Sequence, residues 1–117
     1  MQTVKINLNG HQVTARFEEN STSQALLALM PLPLTMLNLY SRELTYRFKQ
    51  ALPATELKTS GYAVGDIAYW APRHSFVIFY KQTGEIIGSL QKIGHISDSL
   101  DFLKQTGDVR VTFKRGV

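Results

Sequence analysis

The stretch "GDIAYWAPRHSFVIFY", Gly65 to Tyr80, decides the fold. Two short apolar runs flank a Pro-Arg-His tip, which is the pattern of two strands joined by a tight connection. Pro72 presets φ, and the polar residues after it suit an exposed tip, so Arg73-His74 reads first as a turn. The same pair would place a cation and a titratable imidazole at the mouth of whatever the strands enclose, suited to an acidic or polar ligand. Both faces of the second run are apolar. Strand alternation sends successive side chains to opposite faces, so Tyr69, Trp70, Phe76, Phe79 and Tyr80 cannot all point inward. Some of Trp70, Phe76 or Tyr80 must lie outside, under a helix, in a groove or at a subunit contact.

Working outward, most of the chain alternates in the same way. Val4, Ile6 and Leu8 are followed by Asn9-Gly10 and then by Val13, Ala15 and Phe17, which predicts a hairpin on a type I′ turn. "NSTSQALLALMP" changes to helical spacing, with Ser21 and Gln24 in the form of a capping box and Pro31 and Pro33 stopping the helix. Strand patterning returns in "LTMLNLY" and "ELTYRFK", where Leu44, Tyr46 and Phe48 face one way and Thr45, Arg47 and Lys49 the other. Arg42-Glu43 falls in the turn between them, as an exposed pair of small energetic value. "ALPATELKTSGYAVG" reads as a loop. "GEIIGSLQKIGHI" reads as a strand bent at Gly88 and Gly94. "SDSLDFLKQTG", capped by Ser97 or Ser99, predicts a second short helix, and "DVRVTFKRG" a last strand.

About eight strands and two short helices in one domain, residues 1–117, make an open sheet costly, because its edges would be hydrophobic; closure removes them. The fold expected is mainly β, a closed or nearly closed eight-stranded β-barrel with helices over its open ends. The 117 residues suit one core, and 44% hydrophobic with 19% charged residues is ordinary for a globular protein. No apolar run approaches the roughly 18 to 20 residues of a membrane span, and "MQTVKINLNG" lacks the pattern of a secretory signal, so a cytoplasmic location without membrane partners is expected. The absence of cysteine excludes disulfides, thiolate metal sites and a cysteine nucleophile. The net charge of +4 is spread over Lys5, Arg16, Arg42, Arg47, Lys49, Lys58, Arg73, Lys81, Lys92 and Lys104, and only "RVTFKRG" gathers cations. No nucleic-acid partner is expected from that scatter. His11, His74 and His95 lack ligand spacing, and no phosphate loop, dinucleotide fingerprint or Ser-His-Asp order is present, so neither a metal nor a cofactor is expected.

"GYAVGDIAYWAPRHSFVIFY", with "GEIIGSLQKI", a short helix and "GDVRVTF" after it, resembles the small bacterial cyclophilin-like proteins over nearly the whole chain. The resemblance implies a closed eight-stranded barrel with two helices and a groove on it. Cyclophilins proper are peptidyl-prolyl isomerases, in which an arginine beside the prolyl nitrogen helps to lower a barrier of about 18–20 kcal/mol. Here Tyr46-Arg47-Phe48 stands for their Phe-His-Arg segment. Tyr69-Trp70-Ala71 replaces their small-residue run, Phe76 falls at their glutamine, and Ile78 at a pocket phenylalanine. "KQTGE" leaves no room for their later tryptophan and histidine. The expectation is a binding module without efficient isomerase activity, taking a peptide or small molecule in a groove lined by Tyr69, Trp70, Phe76, His74 and Arg47. The alternatives are a divergent prolyl isomerase acting through Arg47, and a homo-oligomer formed through outward aromatics.

Overall fold

The computed structural model describes residues 2–105 and 107–116. Its elements in chain order are β1 (Gln2–Leu8), β2 (His11–Phe17), α1 (Ser21–Leu29), β3 (Leu32–Leu39), β4 (Glu43–Arg47), β5 (Lys58–Ser60), β6 (Asp66–Trp70), β7 (Ser75–Phe79), β8 (Ile87–Ile96) and β9 (Val109–Arg115), with 3-10 turns at Ala71–Arg73 and Asp101–Gln105. The strands run antiparallel in the order β2-β1-β9-β3-β4-β7-β6-β8, and β2 pairs back onto β8. Eight strands therefore close into a barrel. β5 lies outside it, paired only with β8.

Alternation builds the interior. Val4, Ile6 and Leu8, then Val13, Ala15 and Phe17, then Val109, Val111 and Phe113 all point inward and are buried, as are Leu44, Ile67, Tyr69, Phe76 and Ile78. The β1–β2 turn is the predicted one, with Asn9 at φ 50° and Gly10 at φ 95°. The seam pairs Ala15 with Ile96, Arg16 with His95, and Phe17 with Gly94. A Cβ on Gly94 would lie 2.4 Å from the Arg16 carbonyl oxygen, so the closing strands approach too closely there for any other residue. One residue further back the β6–β8 register shifts, a bulge at Ile93. The Ile93 carbonyl accepts instead from the Glu18 N–H at 2.7 Å and from the Ser23 hydroxyl at 3.2 Å, which ties the start of α1 to the seam.

Three local expectations are corrected. The cap of α1 is Asn20, not Ser21: its side-chain oxygen accepts from the Ser23 N–H at 2.9 Å, while its amide donates to the Lys92 carbonyl at 3.0 Å. An asparagine one residue earlier can satisfy an orphan donor and the barrel rim together. The expected second helix is only the 3-10 turn Asp101–Gln105, with Leu100 and Leu103 buried over the barrel end opposite α1. The loop after Pro53 contains β5, too short and too polar to show alternation.

Tyr80 closes that second end, its hydroxyl donating to the Asn38 side-chain oxygen. Burial raises its pKa above the ordinary 10.0, opposed by the Asn38 hydrogen bond and assisted by the Glu43 charge. Because the folded pKa is the higher, the unfolded chain loses this proton first, and stability falls as pH rises past about 10. Tyr80→Phe is expected to cost about 1 kcal/mol at pH 7, the worth of the hydrogen bond. It should also flatten the alkaline decline in a urea-denaturation series from pH 9 to 11.

Candidate functional site

The outer face of β4, β7, β6 and β8 is apolar as well, and this is why both faces of "SFVIFY" are greasy. Ala68, Val77, Phe79 and Leu90 form a second buried cluster there, with Tyr62 over it and Trp70 and Ile87 against it. The Tyr62 ring stacks on Phe79 at 4.0 Å between centroids. Its hydroxyl donates to the Lys81 carbonyl at 2.8 Å and accepts from the Thr83 N–H at 3.0 Å. Beside this cluster lies an open hollow of about 490 Å³.

Strand register composes its floor. Arg47 stands opposite Ser75, Ser75 opposite Trp70, and Trp70 opposite Leu90, so the four side chains form one row across four strands on the outer face. The adjacent row runs from Thr45 to Val77. Arg47 and Trp70 are two strand spacings apart, about 10 Å, with the small Ser75 between them. A cation and an indole thus bound a depression over a short side chain. The indole N–H donates to the Gly88 carbonyl at 3.0 Å, which fixes the ring as a wall. Arg47 is exposed and has no acidic partner among the described residues.

The other end is a charge cluster. Arg42 Nε donates to Glu43 at 2.7 Å, Nη2 also binds Glu43, and Nη1 reaches Glu85 at 2.6 Å. Glu43 accepts from the Thr45 hydroxyl at 2.6 Å. The Arg42 side chain is 12% exposed and that of Glu43 7%. The turn pair expected to be exposed is therefore a buried one, covered by the Tyr40 and Phe79 rings, whose centroids lie 5.1 and 5.9 Å from the guanidinium carbon. Burial alone would lower the Arg42 pKa, but the Glu43 hydrogen bond and charge, then Glu85, more than offset it and raise it. Tyr40 and Ser41 form the β3–β4 turn at φ 58° and 48°, conformations unfavourable for a tyrosine. Such strain concentrates at functional positions, and this tyrosine stands 71% exposed on the hollow's rim.

Of the five residues expected to line a groove, the structure brings Arg47 and Trp70 together. Tyr69 and Phe76 point into the barrel and are fully buried, the Tyr69 hydroxyl accepting from the Leu52 N–H at 2.9 Å. Phe76 and Ile78, aligned with groove positions by resemblance, are one residue out of phase; Ser75, Val77 and Phe79 face the hollow. His74 ends the 3-10 turn at φ 52° and does not line the hollow. Its Nδ1 lies 3.2 Å from the Phe48 carbonyl oxygen, so the Pro-Arg-His tip is a turn stapled to the end of β4. Sequence reasoning missed Ser75, Tyr40 and the Arg42–Glu43–Glu85 cluster. The small serine between two aromatics was the available signal for the first.

A second polar group lies on the seam. Asp66, buried, accepts from the Ala63 N–H at 2.8 Å, with His95 Nδ1 at 2.9 Å and Lys92 Nζ at 3.3 Å. It joins the turn before β6 to β8. Among the described residues no three His, Cys, Asp or Glu side chains gather as a metal-binding group, and no helix is long and apolar enough to cross a membrane.

A family model described as the cyclophilin-like family matches residues 6–114. No curated protein matches the chain. The solution structure of a hypothetical protein from Archaeoglobus fulgidus superposes with a TM-score of 0.76, over 98% of this chain and 95% of that one, at 18% identity. At that identity the likeness is one of fold.

Proposed function

From the premise that the chain belongs to the cyclophilin-like family, we propose that it is a binding module which takes a peptide segment or small molecule in the outer-face hollow, without efficient isomerase activity. The observation that carries this reading is the row Arg47–Ser75–Trp70–Leu90, which leaves an apolar floor open between a fixed indole and an unpaired cation. A pocket of this size, with an apolar floor bounded by Arg47 at one end and the Arg42–Glu43–Glu85 cluster at the other, has the size and the mixed lining of a small-ligand site. The apolar part of a ligand would lie over Ser75 and Val77 against Trp70, and a polar or anionic part would reach Arg47.

Trp70 is the sole tryptophan, so its emission reports occupancy directly. A peptide and metabolite library screened by that emission and by amide shift mapping should give hits centred on Trp70, Ser75 and Val77. Ser75→Met, which fills the floor, should weaken each hit at least roughly tenfold, the worth of about 1.4 kcal/mol, with the far-ultraviolet circular dichroism of the barrel unchanged. Shifts scattered away from these residues would refute the reading.

One observation favours a second reading. Arg47 stands on the same face as the apolar floor, as a prolyl isomerase would require. A protease-coupled assay on proline tetrapeptides separates the two, since an isomerase would accelerate cis-to-trans conversion and lose that acceleration in Arg47→Ala. Self-association through the exposed Tyr40 and Ile86 is the third possibility, and a sedimentation run showing only monomer removes it.

A further inference from the structure

The barrel sorts its charge in a way the linear order of residues conceals. The adjacent strands β2, β1, β9 and β3 contain Lys5, Arg16, Arg110, Lys114 and Arg115, and no aspartate or glutamate. The acids nearest this half lie in the connections at its rims: Glu18 and Glu19 follow β2, Asp98 accepts from the Thr14 N–H at 2.9 Å, and Asp108 accepts from the Asn38 N–H at 3.4 Å. Arg115 donates to the Leu27 carbonyl at the end of α1. The other four are exposed on the outer wall, and none has an acidic partner among the described residues.

Register sets three of them on a track. Lys114 stands directly opposite Lys5, a like-charge pair that costs stability where nothing is bound. Lys5 stands opposite Thr14, which places Arg16 diagonally next to it. The steps are about 5 to 8 Å. Asn7, Gln12 and Thr112 share a row beside the two lysines and line with them a shallow depression of about 220 Å³.

The chemistry of this wall selects its partner. Protein interfaces are built on an apolar, often aromatic centre and are depleted of lysine. Interfacial membrane binding needs apolar side chains to insert. The outward residues Thr3, Lys5, Asn7, Gln12, Thr14 and Arg16 of β1 and β2 offer neither, and a single exposed leucine, Leu37 on β3, stands at the far edge diagonal to Arg110. Lysine, arginine, threonine, asparagine and glutamine side chains all contact phosphate oxygens, and such contacts carry no base sequence. We propose that the wall formed by Lys5, Arg16, Arg110 and Lys114 binds the phosphodiester backbone of nucleic acid, independently of base sequence and of the hollow on the opposite half.

The test is the fluorescence anisotropy of a labelled 20-base-pair duplex. Four phosphate contacts predict an affinity that falls about 100-fold between 50 and 200 mM salt. The Lys5→Gln/Lys114→Gln variant removes exposed, mutually repelling charges, so it should fold with an unchanged or higher melting temperature. It should bind about tenfold or more weakly with a shallower salt slope. Lys58→Gln/Lys81→Gln, an equal charge change elsewhere, should leave binding within about twofold. Binding that both variants weaken equally would reduce the wall to net charge and overturn the proposal, as would no measurable binding at 50 mM salt. Displacement by polyglutamate or phosphatidylserine vesicles as effective as by unlabelled duplex would assign the wall to an acidic protein or a membrane instead. Because the wall has no ring for stacking, oligothymidylate should bind no more tightly than duplex. A single-strand preference abolished by Trp70→Ala would move the contact to the hollow.

Discussion

Gly94→Ala is expected to lower the melting temperature by roughly 10–20 °C, a cost of about 3 kcal/mol at the upper end of overpacking. The added methyl would stand 2.4 Å from the Arg16 carbonyl oxygen and 3.1 Å from the Phe17 Cα, all backbone atoms of the facing strand. No rotamer change relieves such a contact, so β2 and β8 must separate. With them go the pairings of Ala15 and Phe17, and the Ile93 carbonyl's bonds to Glu18 and to Ser23 of α1. Gly88→Ala is the control, because its methyl meets only the Thr59 hydroxyl at 3.6 Å, an ordinary contact. Both glycines lie in β8, but only the first should matter in a thermal melt. Equal melting temperatures for the two variants would refute the account of the seam.

Arg42→Ala should cost about 3 kcal/mol in urea denaturation, in the range for breaking a buried ion pair from one side. It strands the Glu43 carboxylate, 7% exposed, with only the Thr45 hydroxyl for a partner. It also releases Glu85, which the same guanidinium holds at 2.6 Å, so the wall of the hollow should become the preferred site of proteolytic nicking near Gly84. Replacing the pair together, by Arg42→Met with Glu43→Gln, should recover most of the loss, since it is the unpaired charge that is expensive rather than the missing contact. A double variant as unstable as the single would show that Arg42 acts through packing on Phe79 and Tyr40.

Much of the barrel was legible in the sequence because one face of most strands is polar. Val4-Ile6-Leu8 and Val13-Ala15-Phe17 announce both their phase and their turn. "IAYW" and "SFVIFY" do not, because the sheet there is apolar on both sides. Nothing local distinguishes Phe76, in the core, from Phe79, under Tyr62. Phase there is set by cross-strand partners: Tyr46 draws Phe76 inward, and Arg47 leaves Ser75 outside. A chain-wise reading therefore chose Tyr69 and Phe76 for the groove along with Trp70, and passed over Ser75. The basic wall was hidden for the same reason. Lys5, Arg16 and Lys114 are far apart in the chain and become neighbours only through pairing, whereas Gly94 marks an irregularity in "QKIGHI" without showing that the bulge falls at Ile93.

The seam also dictates an order of events during synthesis. Phe17 cannot meet Gly94, nor Val4 meet Arg115, until the ribosome has delivered the eighth and ninth strands. At 5–20 residues per second that is a delay of roughly several seconds or more after the first hairpin emerges. Through that interval the hairpin presents two bare margins, the situation in which nascent chains pair wrongly with one another. Lys5 and Arg16 place charged side chains on that hairpin, which blunts such edge-to-edge pairing for as long as its own partners are unmade.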